Sequence, residues 1–441
     1  MQKRNIVNLK IKMLPKFKIF KAIIFGMLAI SFAGCGLNRG TGELTGVQGR
    51  APWFHPEPLG MVYIPTGTFH TGQSDEDIFN SFITPNKQVS IVAFWMDDTE
   101  ITNNEYRQFV NYTRDSIARY MLMEPYVVED EEGVLRIDWD EDLDWEESAE
   151  DLEAMYLPAN LRFRRGNKEI NTGKLVYHYE WIDYNVAKNK KVTRQKDFKR
   201  IIRKEDVAVY PDTLCWVRDF AYSYNEPMTR NYFHHPKFDD YPVVGVNWHQ
   251  ANAFCNWRTR WKQQYWDRIG APRTEDFRLP TEYEWEYAAR GGRDNNMYPW
   301  GGPYTRNAKG CFLANFKPNR GNLIDDGAFY PVRADKYFPN DYGLYNMAGN
   351  VSEWTANSFT ETSHSFTTDF NPDYRYDARP DKDGTNYLTL SRKVIRGGSW
   401  KDIAAFIQCG QRSYEYQDTT KSYVGFRTVQ SYLGRSRNDR E

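Results

Sequence analysis

Five cysteines are the residues of this 441-residue chain with the most specific chemistry. A thiol can be acylated, form a disulfide, bind a soft metal or act as a nucleophile. Cys35 stands apart near the N-terminus, and the others are spread along the chain at Cys215, Cys255, Cys311 and Cys409. None shows the paired spacing of a zinc site, and the seven histidines are scattered. The sequence therefore predicts no zinc or histidine-based metal centre.

Cys35 follows a segment that is typical of an export signal. Residues 1–21 carry seven basic side chains and no acid, and an apolar run from 22 to 33 comes next. This order predicts a signal peptide that is too short to remain as a membrane-spanning helix. The ending Phe-Ala-Gly-Cys resembles the bacterial lipoprotein box, which implies cleavage before Cys35 and acylation of its thiol and its new amino group. The alternative is a plain signal or an uncleaved anchor with an incidental cysteine.

Export from the cytoplasm would also affect the remaining cysteines and the net charge of the mature chain. The four remaining cysteines could form up to two disulfides, in any of three connectivities. Residues 35–58 are rich in glycine and proline, which suits a flexible tether between a lipid and a fold. Without the basic signal, the chain would hold 51 bases and 59 acids, a formal charge of −8 instead of −1. This balance argues against binding of nucleic acid.

Aromatic residues make up 16% of the chain, with 14 Trp, 30 Tyr and 26 Phe. Packing of such large, stiff side chains can substitute for regular elements, so the composition favours a loop-rich fold. Local patterns predict strands at 61–64 and 89–96. They also predict a helix that Thr102 or Asn103 caps and that runs to Phe109.

Two further helices have clear boundary signals. Asn247 is a candidate cap for a helix from 250 to 265 with an apolar stripe. Thr281 caps a shorter helix that Gly291 ends. Beyond residue 297 the sequence predicts short aromatic strands and long loops.

The segment 112–241 has a different character. Residues 129–153 contain fourteen acids and one base, whereas residues 188–204 contain nine bases and one acid. One interpretation is two solvated faces that pair with each other. The other is a docking surface on which opposite patches of neighbouring subunits meet. The sequence leaves both open.

Seven motifs follow one another in a fixed order. They are MVYIPTGTF (61–69), DDTEITNNEYRQF (97–109), PVVGVNWHQANAFCNW (242–257), RLPTEYEWEYAARGG (278–292), NDYGLYNMAGNVSEW (340–354), RGGSW (396–400) and GFR (425–427). Together they resemble the formylglycine-generating enzyme, or sulfatase-modifying factor, family. The resemblance implies an α+β fold that is a loop-rich variant of the C-type lectin fold.

The resemblance covers roughly 60–110 and 242–430, and it predicts the organisation of the chain. The segments are a signal peptide (1–34), a tether (35–58), the first part of the enzyme-like domain (59–111), a charged insertion (112–241), the second part of the domain (242–430) and a polar tail (431–441).

Two structural calcium sites are also implied. Calcium takes six to eight oxygen ligands from carboxylates, amides and carbonyls. The residues that match the second site of the family are Asn346, Gly349, Val351 and Glu353, with side chains at 346 and 353 and carbonyls at 349 and 351. The residues that match the first site are Asn315, Phe316, Asp326 and Ala328. The alternative is that Asn346 and Glu353 only satisfy backbone groups in a sharp loop.

The chemistry of the family is where this chain departs. Enzymes of the family oxidise a substrate cysteine with two copper-binding cysteines that follow the RGGSW motif. Asp402 and Ile407 stand at those two places here. A carboxylate and an aliphatic side chain cannot replace a thiolate pair for Cu(I). The resemblance therefore implies no copper, no catalytic residues and an inactive relative of the enzymes.

Two disulfides that the resemblance implies cannot form in this chain, because one cysteine of each pair is replaced. The partner position of Cys255 holds Thr428, and the partner position of Cys409 holds Ala289. Cys255 is therefore predicted to be a small buried apolar side chain.

One group of family members without the cysteines shares further features. GELTG, RAPWFHPEPLGM and FWMDDTEITNNEYRQFV, together with the lipoprotein signal and the insertion, resemble the K-type lipoproteins of gliding motility and type IX secretion. This implies a periplasmic ring subunit that is held at the outer membrane by Cys35, associates with itself and binds an N-type ring subunit. Rival interpretations are the J-type gliding lipoproteins and a carbohydrate-binding lectin-like module. An iron-dependent enzyme of the superfamily is disfavoured, because no predicted helix carries the required histidine and carboxylate spacing.

Overall fold

The computed structural model describes residues 53–73, 85–130, 133–163, 166–189, 191–220, 227–318, 321–376 and 387–434. The predicted signal peptide, Cys35, most of the tether and the end of the polar tail lie outside these residues. From Phe54 onward the described residues form one compact unit. No helix in this part of the chain is long and apolar enough to cross a membrane.

Two of the helices are long, and the other elements are short. The helices are α1 (Asn103–Leu122), α2 (Tyr184–Ala187), α3 (Arg194–Ile201), α4 (Cys215–Asp219), α5 (Met228–Asn231), α6 (Trp248–Arg268), α7 (Glu282–Arg290), α8 (Ser363–Phe366) and α9 (Tyr387–Leu390). The strands are β1 (Met61–Ile64), β2 (Gly67–Thr71), β3 (Lys87–Ile91), β4 (Phe94–Asp97), β5 (Val127–Glu129), β6 (Leu135–Ile137), β7 (Val176–Ile182), β8 (Ile202–Ala208), β9 (Phe277–Arg278), β10 (Ser352–Ser358), β11 (Arg392–Arg396), β12 (Ser413–Tyr416), β13 (Val424–Gly425) and β14 (Val429–Ser431).

Two four-stranded sheets join distant parts of the chain. One has the order β1-β4-β14-β9, and the other has the order β12-β11-β10-β13. The first sheet is antiparallel and pairs Val429 near the C-terminus with Met96. In the second sheet, β10 and β13 form a parallel pair. Helices packed on mostly antiparallel strands confirm the predicted α+β class, and long irregular stretches after 297 confirm its loop-rich character.

The predicted starts of the main helices are confirmed. Thr102, Asn247 and Thr281 each cap their helix through a capping box, in which the third helical residue bonds back to the cap. Gly291 ends α7 with φ +61°, a left-handed conformation that glycine adopts at little cost.

Two predicted boundaries were wrong. Helix α1 does not end at Phe109 but continues to Leu122, because its apolar face goes on to bury Val110 and Ala118. The predicted strand 89–96 is two strands, since β3 pairs with β2 and β4 pairs with β1. The chain leaves one sheet and enters another between 91 and 94.

The segment 112–241 is integrated into the domain. Its predicted start at residue 112 falls inside the continuous helix α1. Leu152 and Tyr177 of the segment pack in one hydrophobic cluster with Phe254 and Trp257 of α6. The segment is therefore part of the main core, and its expected boundary is corrected.

Within the described residues, the ion pairs of the two charged runs are formed with neighbouring segments of the chain. In the acidic run, Glu153 pairs with Arg162 and Lys168. In the basic run, Arg203 pairs with Asp183 and Lys204 pairs with Glu180. These pairs join neighbouring segments, so they give no support to the interpretation that the two runs neutralise each other.

A polar cluster fastens the β7–β8 hairpin to α6. The Glu205 carboxylate accepts hydrogen bonds from Tyr179 Oη and Trp181 Nε1, each at 2.9 Å. His249 lies between this carboxylate, at 3.9 Å, and that of Asp418, at 3.4 Å. Burial alone would lower the pKa of His249, but the two carboxylates raise it to about 9. Burial likewise disfavours the charged form of Glu205, but its donors lower its pKa to about 2.

This cluster predicts a pH dependence of stability. Because the folded pKa of His249 lies above its usual 6.5, its stabilisation is complete below pH 6.5 and is lost as the pH rises through about 9. We expect the free energy of unfolding of the wild type to fall by up to roughly 3 kcal/mol over that range. In the His249→Gln variant this fall should be absent when measured by urea denaturation at each pH. A His178→Gln variant serves as control, because His178 is exposed and pairs with Asp206 on the neighbouring strand. An equal slope in the wild type and His249→Gln would contradict the prediction.

Candidate functional site

The RGGSW segment turns sharply at the end of β11. Gly397 and Gly398 have φ values of +90° and +66°. A Cβ atom at Gly398 would lie 2.6 Å from the Phe406 carbonyl oxygen and 2.8 Å from Ile407 Cγ2. Only glycine permits this approach, so the turn packs directly against residues 404–407. The sequence thereby places the two positions of interest, 402 and 407, around one tight turn.

Both side chains at those positions are satisfied within the fold. Asp402 Oδ2 accepts hydrogen bonds from the Ser399 backbone N–H at 2.9 Å and the Ser399 hydroxyl at 2.6 Å. Ile407 is completely buried. Within the described residues, no group of three or more His, Cys, Asp or Glu side chains is arranged to hold a metal ion. Positions 402 and 407 correspond, by the resemblance described above, to the two copper-binding cysteines of the enzymes. At these positions the turn has a hydrogen-bonded carboxylate and a buried core residue.

A cavity of about 320 Å³ opens beside the turn. Lys401, Asp402, Phe406, Tyr414 and Tyr423 contribute to its lining. Lys401 Nζ lies 3.3 Å from the ring centre of Tyr423, a cation–π contact. Burial lowers the pKa of this lysine. The described lining contains no thiol or imidazole, and its charged side chains could hold a polar group.

All four cysteines of the described residues are free thiols, so the two disulfides that their number allowed are not formed. Cys215, Cys255 and Cys409 are buried, whereas Cys311 is exposed. Burial raises the pKa of Cys409 and of Cys215 to about 12, and it raises that of Cys255 further. Protonated, buried thiols of this kind are inert, and the prediction that Cys255 is a small buried residue is confirmed.

Buried ion pairs hold the turn in place. Arg396 Nη2 donates to Glu286 Oε2 at 2.6 Å, and Arg290 Nη2 donates to Glu286 Oε1 at 2.6 Å. All three side chains are almost wholly inaccessible to solvent. Burial would raise the pKa of Glu286, but the two arginines hold it below its usual range. The first residue of RGGSW is thus a structural anchor, a role that the motif alone did not reveal.

Glu100 is a second buried carboxylate that sequence reasoning missed. It accepts hydrogen bonds from the Asn350 and Asn346 side-chain amides at 2.9 and 3.1 Å. Burial raises its pKa to about 8, although Arg427 nearby acts in the opposite direction. The only signal in the sequence was its place in the DDTEIT motif.

The residues predicted for the first calcium site lie together. Asp326 accepts hydrogen bonds from the backbone N–H groups of Phe316 and Ala328. Asn315 is buried, and its Oδ1 has no hydrogen-bond partner among the described residues. An orphaned amide oxygen beside a carboxylate and two backbone segments fits an oxygen-ligated cation. Asn315 and Asp326 would hold it, with the carbonyls at 316 and 328, and the ion would clamp the loop.

The residues predicted for the second site fit a cation less well. Asn346 Oδ1 is buried and has no hydrogen-bond partner within the part of the chain that the structure describes, as a calcium ligand would be. Gly349 has φ +78° and lies so close to the Asn315 carbonyl that a Cβ atom would be 2.2 Å from it. Glu353, two residues beyond Val351, accepts two hydrogen bonds from Arg427, each at 2.7 Å, so its charge is already balanced. Calcium at either loop stays a prediction.

The sequence of this domain is similar to that of a known protein family. Residues 52–432 match the family described as sulfatase-modifying factor enzyme 1-like domain. The chain belongs to this family. The match includes the charged segment 112–241, in agreement with its place in the core, and it establishes the formylglycine-generating-enzyme fold.

Individual relatives differ in activity. The formylglycine-generating enzyme of Bos taurus is 27% identical over 395 residues, which are 87% of this chain and 78% of that protein. The inactive C-alpha-formylglycine-generating enzyme 2 of Bos taurus is 35% identical over 167 residues, which are 37% of this chain and 40% of that protein. Similarity to the inactive relative fits a non-catalytic member of the family. Among solved structures, PvdO from Pseudomonas aeruginosa aligns with a TM-score of 0.45 at 15% identity, over 84% of this chain and 94% of that one.

The buried ion pairs predict a large cost for removing their carboxylate. In the Glu286→Gln variant, Arg396 and Arg290 would keep their charges in the core without a counter-ion. We expect the free energy of unfolding, measured by urea denaturation, to fall by about 3–5 kcal/mol. The matched control is Asp341→Asn, which breaks the exposed pair with Arg293 and should change little. Similar losses in both variants would contradict the prediction.

Calcium binding at the first loop can be measured through stability. At a hundredfold excess over Kd, calcium should raise the free energy of unfolding by roughly 3 kcal/mol relative to the protein in EDTA. Asp326→Asn should remove this increase, whereas Asp335→Asn, an exposed carboxylate paired with Arg333, should leave it unchanged. An increase that survives in Asp326→Asn would place the ion elsewhere.

Proposed function

We propose that this protein is a non-catalytic lipoprotein that forms a periplasmic ring of the type IX secretion and gliding-motility machinery. The observation that carries the proposal is the state of Asp402 and Ile407. The carboxylate is bonded to Ser399, and the isoleucine is buried. The resemblance implies that a copper-dependent oxidase needs two thiolates at these positions, and this supports a fold that acts without the chemistry of the family.

The scaffold supports a structural role. Buried pairs such as Glu286–Arg396 and Glu353–Arg427 hold loops in fixed positions without requiring a substrate. The turn after β11 is anchored in the same way, although it carries no thiols. A rigid domain of this kind is suited to repeated assembly, where each subunit must present the same surfaces.

The anchor and partners are proposed from the sequence. The lipoprotein-box resemblance at Cys35 supports attachment to the outer membrane on its periplasmic face. The segments that resemble K-type lipoproteins support self-association and binding of an N-type ring subunit. The exposed charges of the segment 112–241 are compatible with such assembly.

The proposal is tested with the full chain expressed with its secretion partners. Negative-stain images of membrane extracts should show rings that contain this chain, and a Cys35→Ser variant should move to the soluble fraction with loss of most membrane-bound rings. Cys311→Ser is the matched control, because Cys311 is exposed and free. Copper loading and a cysteine-containing peptide should give no aldehyde product. Turnover, or a monomer that never joins a ring, would overturn the proposal.

The same images separate the rival lipoproteins. K-type function requires rings that also contain the N-type subunit, so co-purification of that subunit with the wild type is expected. Rings that lack it would favour the J-type interpretation, and micromolar binding on a glycan array with no rings would favour a lectin-like module.

A further inference from the structure

The β7–β8 hairpin holds two charged segments apart. Its strands pair along their whole length, from Val176 opposite Ala208 to Ile182 opposite Ile202. Six steps at about 3.3 Å per residue give a length of about 20 Å. The acidic segment lies at the open end of the hairpin, and the basic segment forms its tip.

The acidic surface is fixed to the open end by backbone contacts. Asn171 N–H donates to the Met155 carbonyl at 2.8 Å, and Lys174 Nζ donates to the Ala154 carbonyl at 2.6 Å, two residues before β7 begins. The exposed carboxylates that define this acidic surface are Asp140, Glu141, Asp142, Asp144, Glu146, Glu147, Glu150 and Asp151. Glu153, at its edge, is neutralised by Arg162 and Lys168 and is not counted.

The basic surface is built on α3 and the loop that precedes it. Its exposed cations are Lys191, Arg194, Lys196 and Lys199. The acids on these elements are few, and Asp197 pairs with Arg200 at 3.3 Å. Asp183, the residue that follows β7, pairs with Arg203 of β8 at 3.2 Å. The remaining charge is positive and faces solvent.

We infer that the acidic surface of one copy docks on the basic surface of the next copy. This inference rests on the proposed function. A ring of more than two identical subunits requires two different patches that complement each other, since one patch must meet the other on its neighbour. The chain offers two such patches at opposite ends of a hairpin about 20 Å long. This length exceeds the Debye length of about 8–10 Å, so salt screens the attraction between the two patches of one molecule.

Charge reversal provides a sharp test. One variant carries Glu141→Lys, Glu146→Lys, Glu147→Lys, Glu150→Lys and Asp151→Lys, which leave the Asp144 backbone bonds intact. With five of the eight carboxylates reversed, the net charge of the acidic surface changes from negative to positive. The other carries Lys191→Glu, Lys196→Glu and Lys199→Glu. Sedimentation velocity of the full chain in detergent at low salt should show that each variant alone associates at least tenfold more weakly than the wild type, because its two surfaces then have the same sign.

An equimolar mixture of the two variants should associate again. Each reversed surface then meets a surface of opposite sign on the other variant, and the two alternate along the assembly. Recovery on mixing also shows that both variants are folded. A chain that carries all eight changes should associate with itself, since both of its surfaces are reversed together.

A matched control reverses three exposed lysines elsewhere, at Lys309, Lys317 and Lys336, and should associate like the wild type. Association that is unaffected by the reversals, or is not restored on mixing, would overturn the inference, as would a wild type that stays monomeric. The two proposals fail separately. Rings that persist in membrane extracts of both reversal variants refute this interface alone, whereas wild-type extracts without rings refute the proposed function.

Discussion

Helix α7 is buried along its whole length although it carries three glutamates and an arginine. Charges in such a position are tolerated only when each is paired and hydrogen-bonded. Glu282 pairs with Arg412, Glu284 pairs with Arg278, and Glu286 pairs with Arg396 and Arg290. Arg290 lies on α7 itself, and the other partners come from the strands and loops around the helix. Pairing the charges of one short helix therefore fixes the positions of several distant segments of the domain.

This constraint explains how a fold with so little regular structure keeps a defined loop after β11. Arg396 is both the last residue of β11 and the partner of Glu286, so the glycine turn that follows starts from a fixed point. The turn then packs on residues 404–407 with no room for a side chain at Gly398. Its geometry therefore depends on the ion pair, on packing against Ile407 and on the hydrogen bonds that Asp402 accepts from Ser399.

The apolar and the charged residues of the segment 112–241 have different roles. Its aromatic and aliphatic residues, such as Leu152 and Tyr177, complete the hydrophobic core against α6. Its acids and bases remain on the outside, at the two ends of the β7–β8 hairpin. The Glu205–His249 contact ties the hairpin to α6, and so fixes the orientation of both charged surfaces relative to the domain.

The sequence alone determined the local features of this protein. The caps at Thr102, Asn247 and Thr281 could be predicted because a capping box involves residues only three positions apart. The motif order identified the fold, and the residue types at 402 and 407 led to the prediction that the copper-binding thiolate pair is missing. Tertiary structure decided what lies far apart in the chain. Glu286 meets Arg396 across 110 positions, and Glu282 meets Arg412 across 130. Whether a glutamate on an apparently amphipathic helix faces water or an arginine depends on the packing of the entire domain, which no local pattern records.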